Sequence, residues 1–253
     1  MRQVLSVILM VLLPLAGIAS VQAATLEKIQ QKNSFRICVN RHALPFSESD
    51  GFLPGAHIEM AELVARELGV PLDISWVTFR YRAKYTKCDA FMGVAVLGDD
   101  EGFVKKTNPY LHVKMYVVYK PGLKIKSLDD LDGLKIATPS ASLAHSILVK
   151  RPQVELFVSM AEDKKMLDAV VSGRVDAAIV ANTGIGWYKK SNPDVNLEIE
   201  SAEFIHSFNG YPMAIGFRKA DEKIVSRGNE ILKKITESGE LQKIFYKYGL
   251  DQK

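Results

Sequence analysis

The feature that most constrains this chain is a repeated alternation of short apolar strands with amphipathic helices. Residues 35–39 read as a buried strand. Residues 57–68 follow, with Ile58, Ala61, Val64 and Leu68 on one helical face and a stop at Gly69, and residues 72–77 have the branched and aromatic content of a strand. Residues 90–97 and 113–119 add two further strand patterns. A second series starts beyond Gly122: a short helix at 128–131, a strand at 134–138, a helix at 142–150, a strand at 154–158, a helix at 163–172 and a strand at 175–180. A last strand at 212–217 precedes amphipathic helices at 222–236 and 241–248. Such alternation predicts α/β architecture, with mainly parallel sheets flanked by helices. No short-period repeat points to a solenoid.

The first 23 residues read as a signal peptide. Arg2 is followed by an apolar stretch over 4–18, interrupted by Pro14, and then by Val21-Gln22-Ala23, whose small-x-small spacing suits a signal peptidase. The stretch is short for a membrane span, and no later segment has the roughly 20 apolar residues a span needs. No cysteine lies near the cleavage point to accept a lipid, so the expectation is a free periplasmic protein, not embedded in a membrane. What remains of the 253-residue chain suffices for one large domain or two of about 100 residues each.

The formal charge of +4 is spread without a basic block, which argues against a nucleic-acid partner. The two cysteines, Cys38 and Cys88, suit a structural disulfide in an oxidising compartment. They lack the spacing of a redox or zinc motif. Asp99, Asp100 and Glu101 form the densest acidic cluster, and the five histidines (42, 57, 112, 145 and 206) are scattered. Neither pattern supplies the paired groups of acid–base catalysis or the spacing of a metal site. A non-enzyme without cofactor or metal is expected.

Four stretches together resemble the extracellular solute-binding proteins of family 3, the amino-acid-type binding proteins of ABC importers. They are Leu44-Pro45-Phe46 with Gly55 and the helix to Gly69, residues 89–110 ending in Thr107-Asn108-Pro109-Tyr110, residues 128–136, and residues 239–249. The resemblance implies a two-lobed periplasmic binding protein fold joined by two crossing strands. Lobe 1 would comprise residues 24–113 and 205–253, and lobe 2 residues 114–204. Ligand would bind at the carboxyl ends of the parallel strands. The cleft candidates are Asn40, Arg41, Phe46, Gly93, Val94, Asp100, Ser140, Ser142, Asn182 and Thr183. Ser140, Ser142 and Thr183 offer hydroxyls or helix-terminal N–H groups, although serine before a helix is more often a cap. Phe46 and Trp76 offer faces for stacking, or core packing.

The chain departs from the family at both charge anchors. Asp100 stands where amino-acid binders carry the arginine that grips the ligand α-carboxylate. Ala181-Asn182-Thr183 stands where they carry the acidic residue that pairs the ligand ammonium. Loss of the first contact alone is worth about 2 to 5 kcal/mol. Arg41, Arg80 and Arg82 are the alternative sources of a fork. The cysteine motif, Arg36-Ile37-Cys38-Val39-Asn40 with Lys87-Cys88-Asp89, is similar to a divergent branch, the MoxJ-type J proteins associated with periplasmic quinoprotein methanol dehydrogenases. That branch implies an accessory or maturation partner of a PQQ-dependent dehydrogenase, and a monomer is expected. The alternative is the binding component of an ABC importer, working with its permease on a small polar solute other than a typical α-amino acid. Dehydratase activity on the same fold ranks third.

Overall fold

A computed structural model describes residues 25–77, 86–97, 104–140, 142–159, 162–207 and 210–251. The signal-peptide expectation, Arg80, Arg82 and the 99–101 acidic cluster lie outside them. In chain order the elements are α1 (Leu26–Gln31), β1 (Phe35–Asn40), β2 (His42–Ala43), β3 (Ser47–Glu48), α2 (Ala56–Leu68), β4 (Leu72–Val77), β5 (Ala90–Ala95), β6 (Val104–Lys106) and β7 (Leu111–Tyr119). They continue with β8 (Lys135–Pro139), α3 (Leu143–Leu148), β9 (Glu155–Ser159), α4 (Asp163–Val171), β10 (Ala177–Ala181), α5 (Asn182–Ser191), β11 (Glu198–Ser201), β12 (Gly210–Arg218), α6 (Glu222–Glu237) and α7 (Glu240–Lys247).

The main strands run in the order β4-β1-β5-β12-β7-β10-β8-β9, with β6 beside β12 and β11 beside β7. Strands β4, β1 and β5 are parallel, as are β10, β8 and β9. The two groups meet through β7. Its first residues, Leu111 to Lys114, pair antiparallel with the start of β12. Met115 to Tyr119 pair antiparallel with β10. One continuous strand therefore belongs to both lobes, which is the two-lobed α/β architecture that the family resemblance implies.

Period-2 alternation on the shared strand explains how lobe 2 covers both faces of its sheet. Val118, Ala178 and Val180 face α4 and α5 with Met166, Leu167, Val170 and Tyr188. Val117, Ala177 and Ile179 face the other way, onto Ile125, Leu131, Ile136 and Leu148. Lobe 1 is centred on Phe35, Ile37, Met60, Val64, Phe217, Ile231 and Tyr248.

The predicted element ends fall within two residues of the observed ones, and the short helix at 128–131 is a single 3-10 turn at Asp129–Leu131. Helix α5 has no counterpart in the sequence reading. Gly184 and Gly186 lower its intrinsic propensity, and packing on both sides overrides that. On one side Tyr188 donates to Asp168 at 2.9 Å. On the other, Trp187 meets the Tyr248 ring, centroids 5.8 Å apart, and packs against the lobe 1 core.

Cys38 and Cys88 form a disulfide with Cα atoms 5.7 Å apart. Strands β1 and β5 are neighbours, with Cys38 opposite Phe91, so Cys88, just ahead of β5, falls within reach. Closing a 50-residue separation stabilises the fold by roughly 4 kcal/mol in the chain-entropy account.

Tyr248, fully buried, ties the end of the chain to the start of α2. Its hydroxyl accepts from the Gly55 N–H at 3.0 Å and donates to Glu59 Oε1 at 2.6 Å. Tyr248→Phe leaves both partners short of a hydrogen bond in a buried place. It should destabilise the protein by about 1 to 3 kcal/mol, read as a lower urea midpoint with an unchanged slope.

Candidate functional site

In open α/β sheets ligands bind beyond the carboxyl ends of the strands. In lobe 1 those are the ends of β1, β4 and β5, and in lobe 2 those of β8, β9 and β10.

At the end of β1, Asn40 is engaged locally. Its Oδ1 accepts from the Arg41 N–H at 3.0 Å and its carbonyl accepts from Ser47 Oγ at 2.7 Å. Arg41 is exposed. Its guanidinium lies 5.8 Å from the Trp76 ring centroid, and it donates to Ser49 Oγ at 3.4 Å. Trp76 is thus partnered by an arginine of its own lobe.

Phe46, Gly93, His57 and Tyr110 make one packed group. Phe46 stacks on His57 with centroids 4.3 Å apart. His57 Nε2 and the Tyr110 hydroxyl share a 2.7 Å hydrogen bond. Gly93 has φ 75°, and a Cβ there would stand 2.6 Å from His57 Cε1. Glycine is required on both counts. Burial pushes the Tyr110 hydroxyl pKa well up, against a backbone hydrogen bond at Gly93. The histidine and tyrosine form a desolvated floor, with Phe46 laid on it. The neighbouring Val94 is half-buried and paired with Ala214 on β12. Asp100 lies outside the described residues.

In lobe 2, Ser140 is exposed directly after β8. Ser142 is the N-cap of α3, its Oγ accepting from His145 N at 3.0 Å and sharing a hydrogen bond with Thr138 at 3.2 Å, so the capping role applies. Asn182, the first residue of α5, clamps the shared strand. Its Oδ1 accepts from Lys114 N at 3.0 Å and its Nδ2 donates to the His112 carbonyl at 3.1 Å. Thr183 is buried.

The sequence reading missed Asp163, the first residue of α4. This half-buried carboxylate stands so close to Gly184, in the first turn of α5, that a Cβ there would overlap its Oδ2. Desolvation pushes its carboxyl up to about 6. An acidic residue at the first position of a segment read as helix looks like an ordinary first-turn carboxylate. Only the approach of α5 sets it apart.

His42, Glu48 and Asp50 on the β2–β3 hairpin are the one group of potential metal ligands among the described residues. His42 Nδ1 meets Glu48 at 2.7 Å, and Nε2 lies 3.9 Å from Asp50. Opposite ring nitrogens face the two carboxylates, which is an ion-pair bracket and not a chelate.

Residues 35–251 match the bacterial extracellular solute-binding proteins, family 3. The chain belongs to that family. It is 26% identical over 231 residues to a probable histidine-binding protein of Neisseria gonorrhoeae, covering 85% of this chain and 82% of the relative. It is 23% identical over 238 residues to the L-cystine-binding protein TcyJ of Escherichia coli (strain K12), covering 89% and 86%. Among solved structures it superposes on an ancestral cationic amino acid solute-binding protein with TM-score 0.73 at 22% identity, covering 88% of this chain and 99% of that one. No helix among the described residues is long and apolar enough to cross a membrane.

The raised carboxyl of Asp163 carries a sign. Its folded-state pKa, about 6, lies above the ordinary 3.8, so folding favours the protonated form. Its relative contribution to stability is full below the unfolded pKa and is lost as pH rises through 6. Asp163→Asn should therefore leave unfolding free energy nearly unchanged at pH 4 and raise it at pH 7.5, by at most about 3 kcal/mol, in urea titrations at the two pH values.

Proposed function

We propose that the chain is the solute-binding component of an ABC importer, exported to the periplasm and taking a small polar solute between its lobes. One observation carries this reading: two parallel-strand groups present their carboxyl ends to each other across a strand they share. Relatives that cover most of the chain, named for binding histidine and cystine, support it. The lobes divide within β7 and again before β12, at about residues 113 and 205. This segmentation leaves a solute enclosed when the lobes close and exposed when they open.

The solute is held differently from a typical α-amino acid. Ala181 supplies no charge at the second anchor position. Arg41, the arginine at the lobe 1 strand ends among the described residues, is already occupied by Trp76 and Ser49. The dehydrogenase-accessory reading rests on the Cys38–Cys88 motif, a feature that also stabilises the fold without any partner. The named relatives weigh for transport. The named relatives are binding proteins, and this chain is read as a binder like them.

The test is to purify the mature protein from the periplasm of its own host and identify both bound small molecules and captured proteins by mass spectrometry. A stoichiometric solute released on denaturation is the expected result. Capture of a quinoprotein dehydrogenase, with no solute released, would overturn the importer reading.

A further inference from the structure

We propose that lobe 2 carries an apolar subsite at the lobe junction, between the start of α3 and the chain that leaves for β12, and that the solute has a short alkyl end that fills it. This inference rests on the solute-binding reading above and gives the solute a class: a small polar head with an aliphatic end.

The subsite is a recess of about 40 Å³. It is lined by Met115 of β7, Ile179 of β10, Leu143 and Ala144 of α3, and Ala202 and Ile205 at the 3-10 turn Ala202–Phe204. Three positions put it at the cleft end of lobe 2. Leu143 follows the carboxyl end of β8, just past the exposed Ser140. Met115 pairs with Ala181, the last residue of β10, and is the first residue of β7 beyond those that pair with β12. His206, which also lines the recess, lies on the way from the turn to β12. Both connections between the lobes therefore pass the recess.

Size and lining decide what fits. At roughly 10 to 15 Å³ for each water-sized group, there is room for about three such groups. Water is a poor occupant, because it needs about two to four polar partners and His206 is the one polar side chain in the lining. A charged or hydroxyl group would lose its hydration there without a compensating partner. An alkyl group gains twice: it leaves water, and it supplies the contacts that the lining lacks across a gap.

The bland alternative is a packing fault that the core would close if it could. Native interiors leave few such gaps, and this one is kept open by hydrogen bonds on both sides. Ser142 Oγ accepts from His145 N at 3.0 Å and shares a hydrogen bond with Thr138 at 3.2 Å, which pins the start of α3 to β8. Opposite, Ile205 N donates to the Ala202 carbonyl at 2.9 Å and Glu203 N to Ser201 Oγ at 3.3 Å, which fixes the turn. Leu143 is left 43% exposed, and Val158, next to the end of β9, 42%. The polar candidates beside them are already engaged, Ser142 as a cap and Asn182 on the shared strand. Among the described residues, what lobe 2 offers a solute at its strand ends is apolar surface, with the exposed Ser140 beside it.

The experiment is a titration of methyl-labelled mature protein followed by NMR, with isovalerate, isopentylamine and isovaleramide as probes. Acetate, ethylamine and acetamide carry the same heads without the branch. At least one branched probe should shift the methyl resonances of Met115, Leu143, Ile179 and Ile205 and bind about 60-fold tighter than its short partner, three buried carbon groups contributing about fourfold each. Ala144→Leu and Ala202→Val fill the recess with the chain's own carbon. Each should abolish those shifts while melting no lower than the parent, the second standing in where the first is destabilised. No shift from any branched probe, or shifts that persist in the filled variants, overturns the proposal. Mass spectrometry of solute released from host-purified protein separates the two levels. The solute should carry an alkyl end, and Ala144→Leu purified the same way should hold less than about a tenth of it. A solute without such an end sinks the subsite and leaves the importer reading standing, whereas no solute and no probe binding sinks both.

Discussion

The structure depends on the continuity of β7. Leu111 to Lys114 hydrogen-bond to β12 and Met115 to Tyr119 to β10 and β11, so neither lobe completes its sheet without the other. The junction at Lys114 and Met115 is reinforced from the side by Asn182, which satisfies a backbone donor and a backbone acceptor of that strand at once. This side-chain bridge, at the surface, ties the start of α5 to the crossing strand.

A second link runs between the lobes through α5 and the end of the chain. Trp187 packs on Tyr248, Lys190 stands 4.0 Å from the Tyr246 ring centroid, and the backbones of Gly186 and Gly249 are in close contact. Tyr248 in turn holds Gly55 and Glu59 at the start of α2, beneath the loop that follows β1. The path from lobe 2 to the lobe 1 loop is therefore made of aromatic contacts around the buried Tyr248 and two hydrogen bonds. The strand ends carry exposed residues such as Ser140 and Arg41.

The fold was legible wherever one face of an element is simply apolar. Helix α2 is read from Ile58, Ala61, Val64 and Leu68, all buried, and its Gly69 takes the left-handed cap that ends it. Helix α5 was illegible because its glycines answer to contacts with Asp163 and Gly249, partners 21 and 63 positions away in sequence, counting from Gly184 and Gly186. The same difference governs the site. Loss of the second family anchor shows at Ala181 in the sequence itself, but the use of Asn182 as a strand clamp and of Phe46 as a lid on His57 depends on which strand or ring comes near. Asp163 has the residue type of an ordinary helix start and becomes distinctive only once its surroundings are known.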